Sequence, residues 1–268
     1  MSTTADEVRS VTVGGRQLRV SVRRGTSGVP LLLINGLGAS LELLSPFVAA
    51  LDPALEVIRF DPPGVGGSAP SPVPYRFGGL CGLIASMLTS LGYSEVDVLG
   101  ISWGGAAAQH FALRNRSRCR RLVLVATATG ALMVPARPSV LAHMVTPRRY
   151  LDRGYLSRVA GELYGGSARS DPAGTAAAMH DGNRVGSPLG YVYQLTAGAG
   201  WTSLPFLPLL RQPTLLVAGR DDPLIPLANA RLMHRLIPHS ELHVHDGGHL
   251  ALVTEAGLLA PVVERFLS

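Results

Sequence analysis

Short, unbroken apolar runs, each followed by a helix-length stretch, restrict the fold of this chain more than any other feature. Pro30-Leu-Leu-Leu-Ile34 is the first, and Glu56–Phe60, Val96–Ile101 and Arg121–Ala126 repeat it. A run with no polar alternation suits a strand covered on both faces. Gly79–Leu91 and Gly104–Arg114 have helical length between such runs. Alternation of this kind predicts a parallel sheet with helices on both sides. Val11–Val13 and Leu18–Arg23 add an opening hairpin around Gly14-Gly15.

The rhythm breaks near Thr129. From there to about Pro208 the chain is rich in Gly, Pro, Met and aromatic residues and shows no strand pattern. Strands return at Thr214–Ala218 and Glu241–His245, and a last helix covers Leu258–Leu267. The interruption, roughly 75–80 residues, is too long for an ordinary loop and reads as an inserted helical cap. The expected division is a core of 1–129 and 209–268 with a cap of 130–208.

Of the 268 residues, 47% are apolar and 16% charged, a balance for a packed globule rather than a disordered chain. No apolar run reaches the roughly 18–20 residues that span a bilayer. The polar start Met1–Arg9 is unlike a signal peptide, so cytoplasmic residence is expected. The net charge is +6 with no Lys anywhere, which excludes a Walker-type loop and Schiff-base chemistry. The arginines are scattered, not gathered into a basic stripe with interleaved aromatics, so no nucleic-acid partner is expected. Cys81 and Cys119 lack a CxxC spacing and read as reduced structural residues.

Gly100-Ile101-Ser102-Trp103-Gly104 carries the chemistry. It matches G-x-S-x-G between a buried strand and a helix, where a sharp turn projects the hydroxyl above the sheet. Larger side chains at 100 and 104 would collide across that turn. A serine at its free pKa needs a base. His249 follows the last strand in Asp246-Gly-Gly-His249, at the sheet edge where Ser102 also stands. His243 and His245 share one face of that strand, but no spaced carboxylate or Cys completes a metal site, and no metal is expected. The imidazole needs an acid to fix its tautomer. Asp221 and Asp222 compete in Gly219-Arg220-Asp-Asp-Pro223; the third residue after the glycine is the usual place in this architecture and selects Asp222. The chain order is then Ser102, Asp222, His249.

Two backbone N–H groups should face the oxyanion of the tetrahedral intermediate. Trp103 supplies one, and Leu37, in the loop Ile34-Asn-Gly-Leu-Gly38, the other, with Asn35 bracing that loop. Asp61-Pro-Pro-Gly-Val-Gly-Gly-Ser68 lacks the G-x-G-x-x-G spacing and reads as a structural turn near the site.

These motifs resemble α/β-hydrolases along essentially the whole chain, and in detail resemble the intracellular depolymerases of medium-chain-length poly(3-hydroxyalkanoates). The stretches that carry the likeness are Asn35–Leu44, Asp61–Ser68, Ser102–Gly105, Ala126–Pro135, Pro147–Tyr150, Tyr164–Gly166, Ala197–Ser203 and Asp221–Pro226. One departure is the Gly247-Gly248 pair, where an acidic residue is expected before the histidine.

The resemblance implies a mostly parallel eight-stranded sheet flanked by helices, the triad Ser102, Asp222 and His249, and no cofactor. It also implies hydrolysis of a hydrophobic polyester to 3-hydroxyalkanoic acids, with a storage-granule surface as a partner. Asn35, Met133 and Trp201 are the candidate substrate-binding residues, and Leu132, Val134, Tyr164, Phe206 and Leu207 would extend an apolar channel. The alternatives are a general carboxylesterase or lipase, a hydroxyacyl transferase, and a catalytically silent binding protein on the same scaffold.

Overall fold

A computed structural model describes residues 6–268. Its frame is an eight-stranded sheet: β1 (Glu7–Val13), β2 (Arg16–Arg23), β3 (Leu31–Ile34), β4 (Val57–Phe60), β5 (Val96–Ile101), β6 (Cys119–Val125), β7 (Thr214–Gly219) and β8 (Ser240–His245). The spatial order is β1-β2-β4-β3-β5-β6-β7-β8. β2 runs antiparallel to β1 and β4, and every other pairing is parallel. The sheet is the mostly parallel one that the apolar runs imply, and the opening hairpin turns at Gly14-Gly15.

Both faces of the central strands are buried, so successive residues enter opposite cores. Leu31 and Leu33 of β3, with Val123 and Val125 of β6, pack on one face. Leu32, Ile34, Leu122 and Leu124 pack on the other. Helices α1 (Ser45–Ala50), α11 (Ala251–Thr254) and α12 (Ala256–Leu267) cover the first face. Helices α2 (Phe77–Ser90), α3 (Trp103–Arg114) and α10 (Leu227–Leu236) cover the second.

The β6–β7 connection contributes no strand to the sheet. It runs through α4 (Pro138–Ala142), α5 (Arg148–Leu151), α6 (Arg153–Tyr164), α7 (Ser167–Ser170), α8 (Pro172–Asp181) and α9 (Pro188–Gly198), then a 3-10 turn at Leu204–Leu209. Asp152, Asp171 and Ser187 cap α6, α8 and α9 by accepting from the N–H three residues on. Glycines and prolines hide the helical period here, while the caps set the starts locally.

The chain leaves β3 towards β4 on one side and reaches β5 on the other. Such a switch point opens a crevice beyond the strand C-termini. The loop after β3 and the turn after β5 meet there. Among the described residues, no helix is long and apolar enough to cross a membrane.

Candidate active site

Ser102 stands alone between β5 and α3 with φ 55° and ψ −119°. A non-glycine residue in this region carries strain, on the order of 1–3 kcal/mol, held by its surroundings. Its neighbours show how. Ser102 N–H donates to Val125 O at 2.9 Å, and Ser102 O accepts from Gly105 N–H and from the Thr127 hydroxyl. A Cβ on Gly104 would lie 2.1 Å from Ile34 O, and one on Gly100 would lie 2.3 Å from Gly104 O. The two glycines let α3 start against the sheet with the serine on the crest.

His249 follows β8 and is 4% exposed. Its backbone N–H donates to Tyr164 O at 2.7 Å, and its ring stacks on the Tyr164 ring at 6.1 Å between centroids. Nδ1 lies 2.8 Å from Asp222 Oδ2. A carboxylate only accepts, so this contact puts a proton on Nδ1 and leaves Nε2 as the basic nitrogen. The two acids after β7 have separate partners. Asp221 turns outwards to accept from Arg169 Nε at 2.6 Å and Nη2 at 2.9 Å, and from Gly166 N–H at 2.8 Å. That bidentate pair holds the Asp221 carboxyl below the usual carboxylate range.

Ser102 and His249 line one narrow cavity. Asn35, Leu37, Leu224 and Leu250 contribute to its floor, and Met144, Arg149, Tyr150, Tyr164 and Met179 from the β6–β7 connection roof it. No hydrogen bond joins the Ser102 hydroxyl to the imidazole. Contacts of this kind commonly tighten only once a substrate is bound. Trp103 N–H opens α3, and neither it nor Leu37 N–H is taken by an acceptor of the protein. Asn35 is buried and braces its own loop, donating through Nδ2 to Ser40 O and accepting from Gly36 N–H.

Met133 and Trp201 lie outside this cavity. Trp201 packs on Phe77 and donates through its indole to His110 Nδ1 at 3.2 Å. Of the other residues expected to line an apolar channel, Tyr164 reaches the cavity. Leu207 is packed in the core, and Leu132, Val134 and Phe206 face outwards. The 61–68 turn is built on the buried Asp61, whose carboxylate accepts from Leu41 and Gly67 N–H.

Gly247-Gly248, which stands where an acidic residue is expected, has a packing cause. A Cβ on Gly248 would lie 2.2 Å from Tyr164 O, and one on Gly166 would lie 2.2 Å from Gly248 N. The Gly165-Gly166 turn, at φ 62° and 52°, and the Gly247-Gly248 segment pass backbone to backbone.

Sequence reasoning missed Arg149 and Gln194. Arg149 falls in the resembling stretch Pro147–Tyr150 but nothing there sets it apart from Arg148, and Gln194 is a lone polar residue without motif spacing, so neither is marked as functional. Both are buried beside the Leu37 loop.

A family model described as the alpha/beta hydrolase fold matches residues 29–256. The chain is 51% identical to a poly(3-hydroxyalkanoate) depolymerase of Ectopseudomonas oleovorans, over 97% of this chain and 92% of that one. It is 26% identical to 3-oxoadipate enol-lactonase 2 of Acinetobacter baylyi over 88% of each chain. The crystal structure of an enol-lactonase from Burkholderia xenovorans LB400 superposes with a TM-score of 0.81 at 23% identity, covering 97% of this chain and 99% of that one, a likeness of fold.

Proposed function

The chain belongs to the alpha/beta hydrolase fold family, and we propose that it is a serine hydrolase cleaving the ester bonds of medium-chain-length poly(3-hydroxyalkanoate) or its oligomers. Support for the substrate class is the 51% identity to a poly(3-hydroxyalkanoate) depolymerase, and the medium-chain-length preference is the expectation from the sequence resemblance. The observation that carries the chemistry is a buried His249–Asp222 pair whose imidazole lines the same cavity as a serine on a strained turn.

In this reading His249 Nε2 takes the Ser102 proton as Oγ attacks the ester carbonyl. Leu37 and Trp103 N–H groups hold the oxyanion. Collapse breaks the ester C–O bond, and His249 protonates the departing 3-hydroxyl. Water, deprotonated by His249, then attacks the acyl-enzyme and releases a 3-hydroxyalkanoic acid. We take residues 130–208 as a cap over a core of 1–129 and 209–268. The cap exposes Leu132, Val145, Leu151, Val185, Leu189 and Phe206, an apolar surface suited to a storage granule in the cytoplasm.

One observation favours a second reading, a carboxylesterase of small esters: the cavity beside Ser102 is narrow, roofed by Met144, Tyr150, Tyr164 and Met179, and suits a short ester better than a polymer strand. Polymer particles, short nitrophenyl esters and acyl thioesters offered side by side separate the two. The depolymerase reading expects 3-hydroxyacids released from the particles, and a strong preference for short esters would replace it. Ser102→Ala should lose nearly all turnover and labelling by a fluorophosphonate probe; undiminished activity would remove Ser102 from the mechanism.

A further inference from the structure

The loop after β3 is held in place from above. The peptide joining Leu37 to Gly38 is gripped at both ends: its carbonyl accepts from Arg149 Nη2 and from the Tyr150 hydroxyl, each at 2.8 Å, and its N–H donates to Gln194 Oε1 at 2.7 Å. Two residues further on, Ser40 N–H donates to Asn183 Oδ1 and Ser40 Oγ accepts from Arg184 N–H. Every one of these partners belongs to the β6–β7 connection. Gln194 also reaches the second oxyanion segment, since its backbone carbonyl accepts from the Trp103 indole at 2.8 Å.

The burial of these groups is costly without such a purpose. Arg149 is 2% exposed and Gln194 is fully buried. Among the described residues no carboxylate lies in ion-pair reach of Arg149. The guanidinium is held instead by Leu37 O, by the Tyr191 hydroxyl and by the faces of Tyr150 and Tyr191, at 4.6 and 5.3 Å. Arg149 Nε and Gln194 Nε2 have no partner. A buried cation without a counter-ion and a half-satisfied amide are poor devices for stability. What they do is fix one peptide plane.

We propose that Gln194 and Arg149 are positioning residues that clamp the 37–38 peptide so that the Leu37 N–H is aimed at the oxyanion, a donor therefore in place only while α5 and α9 are seated over the sheet. The inference rests on the reading of Leu37 as an oxyanion donor. Planar peptides leave only the Leu37 φ and ψ between the Leu37 N–H, on the adjoining 36–37 peptide, and the clamped plane. Freeing its Gly38 end lets the Leu37 N–H drift, and small misplacements of catalytic groups cost about 10²-fold in rate. Cap seating and transition-state stabilisation are thereby one event.

The test compares Gln194→Met, which removes the acceptor at similar volume, with Gln194→Glu, which keeps one. For each, kcat and KM on a nitrophenyl octanoate are measured beside the affinities of an alkyl trifluoromethyl ketone, which forms a tetrahedral adduct, and of its methyl ketone analogue. Gln194→Met should lower kcat by about 10–100-fold. Trifluoromethyl ketone affinity should fall by a similar factor, while KM, methyl ketone binding and melting temperature stay near wild type. Gln194→Glu should restore most of the loss. Tyr150→Phe, which removes one donor to Leu37 O and keeps the ring, should act in the same direction more weakly and serves if Gln194→Met does not fold. Unchanged kcat and trifluoromethyl ketone affinity, or equal weakening of both ketones, overturns the clamp. Ser102→Ala, run alongside, separates the two claims: if it keeps turnover the triad reading fails, whereas an inert Ser102→Ala beside a fully active Gln194→Met sinks the clamp alone.

Discussion

Asp222 divides its carboxylate between two tasks: Oδ1 accepts from the N–H groups of Leu224 and Ile225 at 2.9 and 2.8 Å, while Oδ2 is left for His249 Nδ1 at 2.8 Å. The backbone contacts fix which oxygen faces the imidazole. Asp222→Asn must keep its amide oxygen on Leu224 and Ile225, so its NH2 faces Nδ1 and forces the proton to Nε2. We expect kcat to fall by about 10³–10⁴ with the fold intact. Asp221→Asn, which loses the Arg169 pairing, should keep kcat within about threefold, since an exposed pair contributes little. Ester turnover with circular dichroism checks both, and a reversed ranking would move the acid to Asp221.

Two glycine substitutions should have opposite signs. Gly82 lies in the exposed interior of α2, where an added methyl would meet nothing within 4 Å, so Gly82→Ala should stabilise by about 0.5–1 kcal/mol, roughly 2 °C in melting temperature. Gly104→Ala drives its methyl to 2.1 Å from Ile34 O and should destabilise by at least about 1–3 kcal/mol and displace Ser102. Thermal melts decide, and a neutral Gly104→Ala would mean that the turn at Ser102 has slack.

Acid should weaken the tie between α3 and Trp201. His110 Nδ1 accepts from the Trp201 indole, which requires an unprotonated Nδ1. Burial, and secondarily Arg114, lowers the His110 pKa. The unfolded chain then binds the proton more readily than the folded one. Stability from this group is complete above about pH 6.5 and declines as pH falls from there to the folded pKa. Between pH 7.5 and 5, the melting temperature should fall further in the wild type than in His110→Gln. Equal drops would remove His110 as the titrating group.

Neither thiol should matter to activity. Cys81 and Cys119 are free, buried at 1% and 3% exposure, and burial pushes the Cys81 pKa up to about 12 and that of Cys119 further in the same direction. A protonated, inaccessible thiol is a poor nucleophile. An aromatic disulfide reagent should leave the native enzyme active and titrate both thiols only after denaturation. Rapid native reaction with loss of turnover would contradict this.

The sheet was legible because its strands are buried on both faces, so Leu31–Ile34 and Val96–Ile101 carry the signal without tertiary help. The turn at Ser102 was legible because the G-x-S-x-G spacing between a buried strand and a helix is itself local, although the backbone that excludes a side chain at Gly104 comes from Ile34. Burial around the β6–β7 connection was not. Arg149 and Gln194 act on a loop more than 100 positions away in the chain, and nothing local to either residue encodes that contact. Gly248 looked like part of a loosened motif for the same reason, since the backbone that excludes a side chain there comes from Tyr164–Gly166. Trp201, a substrate-binding candidate from the sequence, has its indole on His110 and its ring on Phe77, contacts with residues far away in the chain.

The bare backbone crossing of Gly165-Gly166 over Gly247-Gly248 leaves no compressible side chain between the two strands of chain, so the roof is riveted next to the imidazole. With the His249 N–H bonded to Tyr164 O beside it, the crossing ties the histidine loop to the end of α6 through main chain alone.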